Sequence, residues 1–139
     1  MSLVLDSSVT LAWVYPDETT PWIERIFALV EEDGAWVPEL WRLEVANTLE
    51  MGVRRGRTGA AFRDDTFRDL PRLPIRVDPE TNRHAWGATL QLAIRHRLTL
   101  YGAAYVELAQ RRRLPLATLD RDLRAAARAE GIELLGDDA

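Results

Sequence analysis

Apolar residues recur along the chain at two spacings, one typical of buried strands and the other of helices with one apolar face. Short apolar runs that end at polar residues, glycine or proline predict strands, and apolar residues three and four positions apart predict helices. The predicted strands span residues 2–5, 35–37, 74–77, 116–119 and 132–135. The predicted helices span about residues 21–33, 39–55, 58–70, 78–97, 101–113 and 120–129.

Strands and helices alternate in this pattern, which favours an α/β domain with a parallel sheet and helices on both of its faces. Thr20 and Pro21 form a helix start, and Gly34, Gly56 and Gly131 stand at helix ends. No linker or repeat divides the sequence, so we expect a single domain over residues 1–139. Ligands of such sheets bind at the carboxyl ends of the strands.

Composition excludes several kinds of chemistry. The chain contains no cysteine, and all 18 basic residues are arginine, so thiolate sites, disulfides and lysine-dependent enzymes are ruled out. The net charge of −4 argues against binding nucleic acid through overall positive charge. The N-terminal residues lack the pattern of a secretory signal, and no apolar run is long enough to cross a bilayer, so a cytoplasmic location is the default expectation.

Two aspartates stand where predicted strands end. Asp6 follows the first strand, and Asp120 follows the strand at residues 116–119. Because the strands are expected to be parallel, both side chains should lie at the same edge of the sheet. Each aspartate also suits a helix N-cap, and Asp122 in the same first turn as Asp120 can simply complement the helix dipole.

Glu44 lies on a helix face that carries no basic partner. Its neighbours three and four positions away are Leu40, Trp41, Asn47 and Thr48. A carboxylate on such a face costs free energy unless it is paired, hydrogen-bonded or metal-bound, although an exposed glutamate remains the simpler alternative. Asn47, one turn further on, can bond to this carboxylate or to the waters around a metal ion.

Carboxylates from two strand ends and one helix suit a hard divalent cation such as Mg²⁺ or Mn²⁺. Such an ion activates water and offsets negative charge on a phosphoryl group, which makes phosphodiester hydrolysis a natural use. Acidic residues at strand ends are common, so this spacing alone does not establish the chemistry.

Four stretches together resemble the PIN-domain family, in particular its VapC toxins. They read LVLDSSV at residues 3–9, EVANTL at 44–49, LTLYGAAY at 98–105 and LATLDRDL at 116–123. The resemblance implies a three-layer α/β/α sandwich around a mostly parallel twisted sheet, Mg²⁺- or Mn²⁺-dependent endoribonuclease activity, a cognate antitoxin protein and a homodimer. It also implies that the acids Asp6, Glu44 and Asp120 bind metal and catalyse, supported by Ser8, Asn47, Thr118 and Asp122.

The third stretch departs from the family pattern, because Gly102 stands where the family has an aspartate. The loss of this carboxylate should weaken metal binding. Three explanations stay open: an engineered change that spares an expression host, which we favour, a naturally weakened toxin, or compensation by Asp122 or Glu107. If glycine is native, a catalytically silent PIN domain that only binds its antitoxin becomes the alternative function.

Arginines cluster near predicted helix ends, at Arg54, Arg55 and Arg57 and again at residues 111–113. Favourable interaction with the helix dipole explains them most simply. The functional alternative for both clusters is contact with RNA phosphates or with an acidic segment of the antitoxin. Receiver domains and haloacid-dehalogenase-type phosphatases are disfavoured, since the first lacks its lysine here and the second has Ser8 in place of its second aspartate.

Overall fold

A computed structural model describes residues 1–136. These residues form one sheet of four parallel strands in the order β3-β2-β1-β4, together with eight α-helices in an α/β arrangement. The strands are β1 (Leu3–Leu5), β2 (Ala35–Val37), β3 (Ile75–Val77) and β4 (Leu116–Ala117). The helices are α1 (Ser7–Val14), α2 (Pro21–Asp33), α3 (Trp41–Arg54), α4 (Ala60–Asp69), α5 (Thr81–His84), α6 (Ala88–His96), α7 (Leu100–Arg112) and α8 (Arg121–Ala129).

The central strand β1 carries the core. Leu3, Val4 and Leu5 are all buried, because helices cover both faces of the strand and no side chain on it reaches solvent. Its neighbours are β2 on one side and β4 on the other, with Val4 level with Trp36 and with Leu116. The predicted α/β fold with a parallel sheet is confirmed.

Helix α2 shows how closely a helix start follows from sequence. Thr20 accepts a hydrogen bond from the backbone N–H of Ile23, and Pro21 occupies the first helical position. At the other end, Gly34 adopts a positive φ of 80° that returns the chain to β2. A side chain at this position would also meet the Pro74 carbonyl oxygen at 3.0 Å, so the turn requires glycine.

The structure corrects three of the predicted elements and adds one that was not predicted. Helix α1 was not predicted, and the helix expected at residues 78–97 is two helices, α5 and α6, because Gly87 leaves the helical conformation. The strand expected at residues 116–119 ends at Ala117. The strand expected at residues 132–135 is reduced to one parallel bridge between Leu134 and Leu116.

Within residues 1–136, none of the helices combines the length and apolar character that crossing a bilayer requires.

Candidate active site

The pairing of β1 with β4 sets Asp6 beside Thr118. Leu5 is level with Ala117 in the parallel ladder, so the residues that follow them leave the sheet side by side. The Asp6 backbone N–H donates to the carbonyl oxygen of Ala117 at 3.0 Å, which fixes the backbone at this point. Only 5% of Asp6 is exposed, so its carboxylate lies inside the fold at the carboxyl edge of the sheet.

Two hydroxyl groups hold one oxygen of the Asp6 carboxylate. Ser8 Oγ donates to Asp6 Oδ2 at 2.6 Å, and Thr118 Oγ1 donates to the same oxygen at 2.7 Å. The other oxygen, Oδ1, receives only a long bond of 3.5 Å from Ser7 Oγ. Asp6 precedes α1 but its side chain does not cap that helix, so helix capping does not explain this aspartate.

No basic group in residues 1–136 forms an ion pair with Asp6. Burial raises the pKa of its carboxyl group, the bonds from Ser8 and Thr118 lower it in part, and the nearby charge of Asp120 raises it again. The net effect is a raised pKa. The fold thus holds a buried acid whose charge is only partly stabilised, by hydrogen bonds from neutral groups and by no ion pair within the described chain.

Glu44 reaches the same place from the first turn of α3. It is half-buried, and its Oε1 accepts a hydrogen bond of 2.5 Å from the hydroxyl of Tyr105. Burial raises the pKa of Glu44, and the charge of Asp6 raises it further. The two carboxylates therefore lie close enough to oppose each other's ionisation.

Tyr105 was not among the predicted site residues, although it ends the third family-like stretch. It is almost wholly buried in α7, and its hydroxyl donates a hydrogen bond that helps to position Glu44. Burial also raises the pKa of this phenol, so it remains a donor. The available signal was a tyrosine on a buried helix face, because a buried phenol needs a hydrogen-bond partner.

Asp120 combines capping with proximity to Asp6. Its Oδ1 accepts from the backbone N–H groups of Asp122 at 2.9 Å and Leu123 at 3.0 Å, so it is the N-cap of α8 as the simpler interpretation expected. Its own N–H donates to Thr118 Oγ1 at 3.0 Å, and Ser8 Oγ accepts from the N–H of Leu119. The hydroxyls that hold Asp6 therefore also hold the loop that carries Asp120.

Glu44 and Asp120 each lie near Asp6, but the three acids do not form a compact cluster of metal ligands. In the part of the chain that the structure describes, no three His, Cys, Asp or Glu side chains are grouped as metal ligands. The electrostatic contacts run from Asp6 to Glu44 and from Asp6 to Asp120. This donor set fits an ion such as Mg²⁺, which uses one or two carboxylates and keeps several waters.

Comparison with known proteins places this geometry in a family. The family model described as "PIN domain" matches residues 3–129, which is most of the chain. The chain belongs to the PIN-domain family. Over 127 residues it is 32% identical to a protein named Ribonuclease VapC3 from Pyrobaculum aerophilum, with 88% of this chain and 92% of that protein covered.

Two solved structures share the PIN fold. The crystal structure of PAE2754 from Pyrobaculum aerophilum matches with a TM-score of 0.68 at 23% identity, covering 91% of this chain and 79% of that one. The crystal structure of FitAcB from Neisseria gonorrhoeae matches with a TM-score of 0.67 at 15% identity, covering 98% of this chain and 97% of that one. At these identities the likeness shows the fold alone.

Gly102 lies in the first turn of α7 of this PIN domain, beside the first turn of α8. Its N–H donates to Thr99 Oγ1 at 3.1 Å, which caps the helix. A Cβ atom at this position would lie 3.0 Å from Leu123 Cδ2, so Leu123 occupies part of the space that a side chain would need. An aspartate here requires a small movement of Leu123.

Other predicted supporting residues lie elsewhere. Within residues 1–136 no hydrogen bond joins Asn47 to Glu44, since Asn47 is exposed and lines a separate cavity of about 290 Å³ beside Tyr15. Asp122 is exposed in the first turn of α8, and its contact with Asp120 is through its backbone. Glu107 does not compensate for Gly102, because its carboxylate is bonded to Arg111 at 2.7 Å.

The arginine cluster after α3 is largely neutralised by acids. Arg54 pairs with Glu50 at 2.8 Å. Arg57 pairs with Asp17 at 3.1 Å and Glu18 at 2.6 Å, and its guanidinium lies 3.6 Å from the centre of the Tyr15 ring. Arg55 forms no ion pair with any of the residues described, and it is exposed. Of the three arginines, Arg55 is the one whose charge remains available.

Proposed function

We propose that this PIN domain hydrolyses phosphodiester bonds of RNA, as the toxin of a type II toxin–antitoxin pair, and that the reaction requires Mg²⁺ or Mn²⁺. The observation that carries the proposal is Asp6, a buried carboxylate with no cationic partner and with Glu44 and Asp120 close by. Ionisation of such a group costs free energy, and a bound cation offsets that cost. The name of the relative, Ribonuclease VapC3, supports the nuclease and toxin assignments.

Asp6, Glu44 and Asp120 are the residues that would hold the metal ion. When bound, the ion would lower the pKa of a water molecule and offset charge on the phosphoryl group. Each acid uses one oxygen for positioning: Asp6 Oδ2 is held by hydroxyls, Glu44 Oε1 by Tyr105, and Asp120 Oδ1 by the N-terminus of α8. These hydrogen bonds limit the movement of the three carboxylates, which would keep them in place for the ion.

Partners and location follow from the same assignment. We expect a cognate antitoxin protein, a cytoplasmic location and a homodimer. Arg55 is the residue of its cluster that would contact an RNA phosphate, since acids occupy Arg54 and Arg57. Arg55→Ala should then reduce the dependence of RNA affinity on salt by about one unit of logarithmic slope, whereas Arg54→Ala should not.

Gly102 favours a second candidate function, a PIN domain that binds its antitoxin without cleaving RNA. The fourth carboxylate of the family pattern is absent here, and Glu107, one of its two predicted substitutes, is bonded to Arg111. This function and the nuclease differ in one measurable property, which is turnover of RNA.

Cleavage of a total-RNA preparation in increasing Mn²⁺ tests the proposal. The wild-type chain should cleave RNA, and Asp6→Asn should reduce the rate by more than the roughly 10- to 100-fold that loss of a supporting residue costs. The matched control is Asp69→Asn, which changes an exposed aspartate at the end of α4. This variant should cleave RNA like the wild type. If the wild-type chain and Asp6→Asn are equally inactive at every Mn²⁺ concentration, the binding-only function replaces the nuclease.

A further inference from the structure

We propose that Tyr101 is a stacking residue that holds an unpaired base of the RNA substrate next to the carboxylates. The proposal rests on the proposed ribonuclease function and adds a residue that neither the family match nor the named relatives assign. It is based on the place of Tyr101 in α7, on its exposure and on the contacts of its neighbours.

The helix periodicity places Tyr101 over the acidic site. Tyr101 lies four residues before Tyr105, so both side chains lie on the same face of α7, one turn apart. Tyr105 bonds to Glu44. Side chains in helices lean towards the helix N-terminus, so Tyr101 extends one turn further out than the Tyr105–Glu44 contact, towards the carboxyl edge of the sheet.

Gly102, the residue after Tyr101, packs the first turn of α7 against α8, the helix that Asp120 caps. Gly102 packs against Leu123, with 3.0 Å between the Cβ position and Leu123 Cδ2. Leu123 in turn donates its N–H to the side chain of Asp120. The first turn of α7 therefore lies between Glu44 on one side and the N-terminus of α8 on the other, and Tyr101 is its outermost aromatic residue.

Tyr101 is 67% exposed, although its ring is large and apolar. The ring–ring contacts of the described chain join Trp13 to Phe27 and Tyr15 to Phe62, and Tyr101 takes part in neither of them nor in an arginine–ring contact. Proteins bind unpaired RNA bases by stacking them on exposed aromatic rings. An RNA strand that brings a phosphate to the carboxylates would place a neighbouring base at this rim, within reach of the Tyr101 ring.

Binding of a short single-stranded RNA that contains 2-aminopurine measures stacking directly, because stacking quenches the fluorescence of this base. With Ca²⁺ in place of Mg²⁺ or Mn²⁺ to slow cleavage, Tyr101→Leu should weaken binding by about 5- to 100-fold and abolish the quenching. Tyr101→Phe keeps the ring and should bind within about twofold of the wild type. Trp86→Leu removes another exposed aromatic ring, on the segment between α5 and α6, and should change neither quantity.

The outcomes separate this inference from the proposed function. If the wild-type chain cleaves RNA and Tyr101→Leu binds it as tightly as Tyr101→Phe does, the stacking role is wrong and the nuclease assignment stands. Equal losses in Tyr101→Leu and Trp86→Leu would also overturn it. If Tyr101→Leu weakens binding of the antitoxin but not of RNA, Tyr101 belongs to a protein interface. Wild-type chain that neither binds nor cleaves RNA would contradict the proposed function itself.

Discussion

Two buried aspartates follow parallel strands of the same sheet, and they differ in the partners that stabilise their charge. Asp6 follows β1 and Asp78 follows β3, and both are buried, with exposed fractions of 5% and 0%. Asp78 is bonded to Arg111 at 2.7 Å and to Arg112 at 2.8 Å. Asp6 receives hydrogen bonds from neutral hydroxyl groups instead.

The pKa values of the two side chains move in opposite directions for this reason. Burial raises the pKa of both acids, but the bonds from Arg111 and Arg112 outweigh it at Asp78, whose pKa is lowered. At Asp6 burial prevails and the pKa is raised. The chain neutralises one buried acid, Asp78, with arginine side chains. A buried acid that has no arginine partner, such as Asp6, therefore indicates a binding site for a cation from solution.

Asp78 also belongs to a network that joins separate elements. Arg111 bonds to the buried Glu107 as well, and the guanidinium of Arg112 lies 3.5 Å from the centre of the Trp36 ring. The network therefore connects the end of β3 to α7 and to β2. Its role is structural, whereas the Asp6 site is kept at a cost in stability.

The largest expected effect on stability comes from Asp78→Asn. The change leaves Arg111 and Arg112 without their shared partner, and breaking a buried pair in this way typically costs about 3 kcal/mol or more. Urea denaturation should show this loss, and cleavage of RNA by the folded variant should persist. A variant that keeps its stability but loses RNA cleavage would reverse the roles assigned to the two aspartates.

Asp6→Asn should have the opposite effect on stability and should raise the free energy of unfolding. The folded chain holds the proton of Asp6 above its ordinary pKa of 3.8, so between 3.8 and the raised pKa the folded state binds more protons than the unfolded state. The free energy of unfolding must therefore fall as the pH rises through this window. Asparagine does not ionise, so Asp6→Asn does not lose stability in this pH range. Without metal, this variant should be more stable than the wild type at pH 7 by about 1–3 kcal/mol.

Urea titrations between pH 4 and pH 7 in a chelator measure this difference. The exposed Asp69→Asn variant serves as control and should follow the wild-type curve. If Asp6→Asn is less stable than the wild type at pH 7 and equally pH-dependent, Asp6 is a structural acid like Asp78, and the contrast between them disappears.

Gly102→Asp tests the incomplete acidic site and has the smallest expected effect on stability. Leu123 must move away from the new Cβ, and crowding of this kind costs about 1 kcal/mol without metal. The added carboxylate should raise Mn²⁺ affinity and RNA cleavage. Gly102→Asn has the same size without the charge, so it should show the crowding cost alone; equal Mn²⁺ affinity in both variants would count against the role of residue 102 as a lost ligand.

The sequence predicted the elements whose signals are local. The start of α2 follows from Thr20 and Pro21, and the end from Gly34, and the structure agrees. Helix α1 was not predicted because its apolar residues are not confined to one face: Val9 and Ala12 are buried, and Leu11 and Trp13 also pack against the core. Such a helix lacks the contrast between an apolar and a polar face by which helices are recognised in a sequence.

The sequence predicted which acidic residues belong to the candidate site, but it did not predict the hydrogen-bond partners that hold them. Thr118 bonds to Asp6 across 112 positions of the chain, and Tyr105 bonds to Glu44 across 61. Such contacts depend on strand register and helix packing, which no local pattern encodes. For the same reason the pairing of Arg57 with Asp17 and Glu18 could not be seen in the cluster of arginines.

The most direct test of the unneutralised site is calorimetric titration of the wild-type chain with Mn²⁺ at pH 7, beside Asp6→Asn and Asp69→Asn. We expect the wild type and Asp69→Asn to bind Mn²⁺ with the same affinity at pH 7, and this affinity to fall in titrations repeated at lower pH, because protons compete with the cation for Asp6 and Glu44, whose pKa values are raised. Asp6→Asn should lose the binding. Mn²⁺ binding of equal strength in Asp6→Asn, or none in the wild type, would contradict the account.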